Sequence, residues 1–158
     1  MNGKLVGGAI VLIGAVAGVA MYWLQVHAFY EPVAADAPQA RMQLTLLATG
    51  QPEPILADGF EGIDADSSPL RFRGCFTTPM SLAHMTETYE IYEAAEPLIA
   101  PPWFDCFDAA RIGPDIADGT ALAFLSEREI YPGVDRVIAV YPDGRAFAWH
   151  QLNDSAED

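Results

Sequence analysis

Twenty consecutive residues near the amino terminus, LVGGAIVLIGAVAGVAMYWL from Leu5 to Leu24, carry no charged side chain. Wound as a helix at about 1.5 Å per residue, they reach roughly 30 Å, the thickness of a bilayer's hydrocarbon core. The run is longer than the roughly 7 to 15 apolar residues of a secretory leader. It closes on Tyr22 and Trp23, aromatics suited to a membrane interface. The reading is a retained transmembrane anchor over residues 1–30. The competing reading is a cleaved leader, because Val26-His27-Ala28 offers the small residues a signal peptidase accepts before Phe29.

Charge fixes the expected orientation. The amino terminus and Lys4 are the cations beside the run, whereas Glu31 and Asp36 follow it. The positive-inside tendency then keeps the amino terminus in the cytoplasm and places the remaining chain outside it, in the periplasm of a Gram-negative cell, with the anchor in the inner membrane. Within the run, Gly3/Gly7 and Gly14/Gly18 are small-xxx-small pairs on a rough helical stripe. Small residues let helix backbones approach in lipid, so Gly7, Gly14 and Gly18 are candidate helix-packing positions toward other transmembrane helices of a membrane complex. The plainer alternative is that glycine and alanine are common in such spans.

Beyond the run, seven arginines face 22 acids, a balance of −15. Such a surface repels phosphate backbones, which excludes nucleic acid as a partner. It would steer a basic periplasmic protein toward the domain, and it equally serves solubility. Aromatic residues are plentiful (8 Phe, 6 Tyr, 3 Trp), enough for one packed domain.

The segment EPVAADAPQA, with Ala and Pro and no apolar period, reads as a tether over residues 31–41. A folded domain is expected over 42–153 and a frayed acidic tail over 154–158. Within the domain, Met42 to Ala48 reads as a strand, followed by a turn-rich stretch, GQPEPILADGFEGIDADSSP. LRFRGCFTT alternates Leu70, Phe72 and Gly74 against Arg71, Arg73 and Cys75, the period of a half-buried strand. TPMSLAHMTETY predicts a short helix capped by Thr78, with Pro79 at its first position and Leu82, Met85 and Tyr89 at helical spacing. A second helix is expected from Asp108 to about Asp118, stopped by Gly119 and weakened by Pro114. Ala121 to Glu127 supplies another strand. DRVIAVY and RAFAWHQL flank Pro142-Asp143-Gly144 and form a hairpin, Phe147 and Trp149 on one face and Ala146, Ala148, His150 and Leu152 on the other. Both faces look covered, so the hairpin is central. The fold class is α+β: an N-terminal transmembrane helix, then a small domain with an antiparallel sheet and short helices.

Chemistry is sparse. The two cysteines, Cys75 and Cys106, fall in the part assigned to an oxidising compartment and read as one structural disulfide, with two buried thiols as the alternative. No C-x-x-C pair is present, and no papain-like flank surrounds Cys75 for a partnership with His84 or His150. Asp64, Asp66 and Ser68 begin like a calcium loop, but Pro69 stands where glycine is needed and Cys75 where a bidentate Glu is needed. The three histidines have no zinc spacing, His150 reads as a packed, hydrogen-bonded residue, and no phosphate-cradling loop stands outside the span. No cofactor or metal is expected. The loop EAAEPLIAPPWFDCF carries Trp103 and Phe104, which either cover the core or form a recognition patch; they are the candidate partner contacts.

LQVHAFYEP after the anchor, GQPEPILADGFEGIDADSSP, CFTTPMSL, PPWFDCFDA and DRVIAVYPDGRAFAWHQ together resemble an uncharacterised alphaproteobacterial family of small single-span membrane proteins. Its members carry a domain-of-unknown-function label, and some bear an automated histidine-kinase name. No nucleotide-binding glycine boxes support that name here. The resemblance implies compartment and source and brings no catalytic residues. The functional expectation is a non-enzymatic accessory or assembly subunit of an inner-membrane complex. The alternative is a membrane-tethered ligand-binding or sensory domain with a pocket under the Pro97 to Phe107 loop.

Overall fold

The computed structural model of the chain describes residues 2–157; Met1 of the expected anchor and Asp158 of the expected tail lie outside them. The chain divides into two compact units, residues 1–30 and residues 31–158. The first is a single helix, α1 (Gly3–Val26), whose 24 residues make it long and apolar enough to cross a membrane. At its carboxyl end the backbone N–H groups of His27 and Ala28 both donate to the Trp23 carbonyl, and the His27 ring stacks on the Trp23 indole at 4.7 Å.

The second unit contains β1 (Glu31–Val33), β2 (Gln43–Thr45), β3 (Pro52–Pro54), β4 (Asp58–Asp64), β5 (Arg73–Thr77), α2 (Leu82–Thr88), α3 (Ala109–Ala117), β6 (Leu122–Tyr131), β7 (Val134–Val140) and β8 (Arg145–Leu152). Six strands form one sheet in the spatial order β1-β4-β5-β8-β7-β6, every neighbouring pair antiparallel. β2 and β3 make a separate two-stranded ribbon. With short helices beside an antiparallel sheet, the domain is α+β.

The hairpin β7–β8 stands inside the sheet, as its pattern of covered faces requires. On one face Ile138, Val140, Ala146 and Ala148 pack with Met42, Leu44, Phe72, Phe76 and Phe124 beneath Met85 of α2. On the other, Val137, Ala139, Phe147 and Trp149 pack with Cys75, Phe107, Tyr141 and Ile112 of α3. The turn is closed by Gly144 N–H to the Tyr141 carbonyl, 3.0 Å. Gly144 adopts φ +88°, and a Cβ there would meet the Thr78 carbonyl oxygen at 2.7 Å, so both backbone shape and space require glycine.

Four expectations are corrected. Residues 31–41 are not an extended tether: β1 pairs with β4 from Glu31 opposite Asp64 to Val33 opposite Gly62, and Ala40 is buried. Pro32 is tolerated because β1 lies at the sheet edge, where one side of the strand needs no donor. The acidic end is not frayed over residues 154–157, since a 3₁₀ turn forms there and the Ser155 hydroxyl donates to Glu129 Oε1 at 2.7 Å. The helix at Leu82 is capped by Ser81, whose Oγ accepts from His84 N–H, rather than by Thr78, whose Oγ1 accepts from Met80 N–H ahead of the helix. Finally, the turn-rich stretch contains β4. Gly59 at φ +64° sits where the register shifts between Asp58 and Glu61, a bulge. Beyond it the Phe60 ring lies over Gly62 and Gly74, which face one another across β4 and β5; the two glycines leave the space the ring fills.

Candidate functional site

Among the described residues of the folded unit, buried arginines stand in two places. The first is the loop between Pro97 and Phe107. The alternation of β5 assigns Arg73 and Cys75 to one face, and the structure buries that face too, leaving Arg73 only 3 % exposed. Its guanidinium is surrounded by carbonyls: Nε donates to Leu98 at 2.9 Å, Nη2 to Ile99 at 3.1 Å, and Nη1 to Leu70 and Phe72 at 2.7 and 2.6 Å. Two residues further along the same face, Cys75 forms a disulfide with Cys106 across a sequence separation of 31. β5 therefore holds the loop at both ends, by a buried cation at Leu98-Ile99 and by a covalent bond at Cys106.

Between those holds, Pro101 and Pro102 stiffen the backbone and Phe104 N–H closes a turn onto the Pro101 carbonyl at 3.0 Å. The two candidate contact residues part company here. Phe104 is half-buried against the core that contains Phe107 and Ile112, whereas Trp103 is 37 % exposed and Ile99, three residues before Pro102, is 84 % exposed. The pocket expected under this loop is an open depression of about 370 Å³ walled by Ile99, Pro101, Phe104 and Phe107.

The second place is a cleft of about 280 Å³ walled by Arg136 and His150 with Gln43, Asp64, Glu127 and Tyr131. Arg136 of β7 and His150 of β8 are opposite one another in the hairpin register and are 4 % and 1 % exposed. The Arg136 Nε–H donates to His150 Nε2 at 3.0 Å, and Nη1 donates to the Gln39 carbonyl at 3.3 Å. His150 Nδ1 lies 2.6 Å from the Pro69 carbonyl oxygen. A guanidinium only donates and a carbonyl only accepts, so the proton of a neutral imidazole sits on Nδ1 and Nε2 is bare. Burial, reinforced by the Arg136 and Arg73 charges, pulls the imidazole pKa down to about 3. Its ring stacks on Phe72 at 4.8 Å, and the Arg136 guanidinium also lies over that ring, 4.3 Å from its centroid. Burial pushes the Asp64 carboxyl up, against the bond it accepts from Ala65 N–H and the attraction of Arg136.

The calcium-like residues are occupied by local geometry: Asp64 Oδ1 accepts from Ala65 N–H and Ser68 Oγ from Leu70 N–H. The helix-packing candidates Gly7, Gly14 and Gly18 lie along α1, and beyond the helix's own backbone and the adjoining residues nothing among the described residues comes within 4 Å of where a Cβ would stand. Sequence reasoning left Arg73, Asp135 and Arg136 unassigned. The available signal was the Asp-Arg pair inside VDRVIAV, charges in a strand whose neighbours are apolar on both sides.

A match to a family of unknown function, DUF6446, covers residues 42–158 of the 158. The chain belongs to that family. The matched DUF6446 segment takes in both holds of the Pro97 to Phe107 loop and the whole β7–β8 hairpin, and it begins after α1 and β1. No curated protein and no solved structure matches the chain significantly.

Proposed function

We propose that this protein is a non-enzymatic accessory or assembly subunit of an inner-membrane protein complex in an alphaproteobacterial cell. On this reading α1 remains in the bilayer with the amino terminus cytoplasmic, and the acidic folded unit stands in the periplasm. The observation that carries the reading is the loop held at both ends: Arg73 and the Cys75–Cys106 bond fix a backbone that presents Ile99 and Trp103 to solvent. Exposed apolar side chains on a rigid loop bind a partner without the entropy cost of ordering it first. The disulfide accords with an oxidising compartment, Lys4 and the acids after Glu31 with the stated orientation, and Gly7, Gly14 and Gly18 with docking of α1 on other spans.

Two experiments test it. A carboxyl-terminal fusion to alkaline phosphatase is active in cells if the domain is periplasmic, and an inactive fusion removes the compartment. A photo-crosslinking residue at position 103, followed by gentle detergent solubilisation and mass spectrometry, yields a reproducible adduct with one membrane protein. Recovery of the free monomer alone removes the accessory role.

A further inference from the structure

The Arg136 cleft is built with charges that do not meet. The guanidinium is almost fully buried, yet among the described residues no carboxylate oxygen comes within the 4.0 Å of an ion pair. Its Nε is used by a neutral histidine and its Nη1 by a carbonyl; Nη2 has no hydrogen-bond partner among the described residues. Two carboxylates, Asp64 and Glu127, and a second cation, Arg41, stand in the same wall, Glu127 accepting from Gln43 Nε2 at 2.7 Å. A buried cation held without a contacting counter-ion is costly, because its desolvation is offset only from a distance.

A plain anion entering this cleft meets Asp64 and Glu127 with the wrong sign, and a plain cation meets Arg136 and Arg41. A molecule carrying both charges meets neither conflict. We propose that the cleft binds a small zwitterion, its carboxylate on the free edge of the Arg136 guanidinium and its ammonium between Asp64 and Glu127. The planar guanidinium suits a carboxylate, and a cleft of about 280 Å³ holds a ligand the size of a neutral amino acid. His150 is then a positioning residue: its bare Nε2 takes the Nε–H and turns the guanidinium so that Nη2 remains for the ligand. This inference uses none of the residues on which the accessory-subunit reading rests, so either can fail alone.

The test is isothermal titration of the full chain in detergent with glycine and the neutral L-amino acids, against acetate and methylammonium at matched ionic strength. At least one zwitterion saturates at millimolar concentration or below, and neither single-charge control does. Arg136→Lys keeps the charge but loses the fork, and weakens binding about tenfold or more. Should that variant fold poorly, Asp64→Asn and Glu127→Gln, at the cleft wall, supply the decision: each weakens the zwitterion about tenfold while the thermal unfolding midpoint changes little. The proposal is overturned if no zwitterion saturates, if acetate binds as well as the amino acids, or if both carboxylate variants bind like the unaltered chain.

Discussion

The Nε–H of Arg136 points at the unprotonated Nε2 of His150 across adjacent strands, 3.0 Å away, and so fixes that imidazole as a neutral ring with its proton on Nδ1. A second proton would have to be placed on Nε2, facing a guanidinium donor. Folding therefore excludes the charged form of this histidine.

The pH dependence follows. His150 has a folded pKa of about 3 against 6.5 for the free side chain, so between those values the unfolded chain binds a proton that the folded chain does not. Stability is fully present above pH 6.5 and declines as pH falls toward 3, by roughly 5 kcal/mol from this residue. The groups facing the ring are Arg136 on β7, Arg73 on β5, Tyr131 on β6 and the Pro69 carbonyl. Asp64, held above its ordinary value by burial, works in the opposite sense and offsets part of the loss at the acid end. Urea unfolding between pH 7.5 and 4 measures the slope. In His150→Gln the slope flattens; an unchanged slope contradicts the account.

Asp135 is fully buried and accepts from Glu129 N–H at 2.9 Å, Asn153 Nδ2 at 2.8 Å and the Tyr92 hydroxyl at 3.1 Å. The first bond supports the bulge where Glu129 adopts φ 52°, and the second ties down the carboxyl-terminal turn. Asp135→Ala takes this acceptor from the Glu129 N–H and the Tyr92 hydroxyl, leaves Asn153 Nδ2 with its bond to Glu129 Oε1 alone, and costs about 3 kcal/mol in equilibrium denaturation. A double-mutant cycle with Asn153→Ala gives a coupling energy clearly above zero, since both residues share one bond.

Replacing both cysteines by alanine removes a closure of 31 residues, which costs about 3 to 4 kcal/mol in the chain-entropy treatment. Hydrogen exchange separates the two holds on the loop: amides from Trp103 to Phe107 lose protection, while those near Leu98 and Ile99, still bound to Arg73, lose less. Uniform loss across the sheet would show that the bond supports the whole domain instead.

Gly144→Ala introduces a Cβ at φ +88° and 2.7 Å from the Thr78 carbonyl oxygen. The backbone term alone is about 1 to 2 kcal/mol, and the clash adds to it. Thermal unfolding reads the loss, and a neutral result would mean that the turn relaxes away from Thr78.

Ile99→Ser and Trp103→Ser test the loop as a contact surface. Both side chains are at the surface, so stability changes stay within about 0.5 kcal/mol for Ile99→Ser, and crosslinking at the neighbouring position drops. Retained crosslinking in both variants moves the contact elsewhere.

The amino-acid order by itself determined what depends on local pattern. The uncharged run from Leu5 to Leu24 makes α1, because its length and apolarity need no neighbour to be read. The β7–β8 hairpin follows from alternation around Pro142-Asp143-Gly144, and the two cysteines, with no others to choose from, pair. Tertiary structure alone decided which charges go inside. Arg73 and Arg136 each look solvated in their own strands; one is buried because a loop about 25 residues later folds over it, the other because β8 brings His150 opposite. β4 escaped the pattern for the same reason, since Asp, Gly and Glu lower strand propensity and what offsets that is pairing with β1 and β5 and the Phe60 ring across Gly62 and Gly74. For a charged side chain, burial is a property of what arrives from elsewhere in the chain, whereas apolar residues announce theirs in the strand pattern.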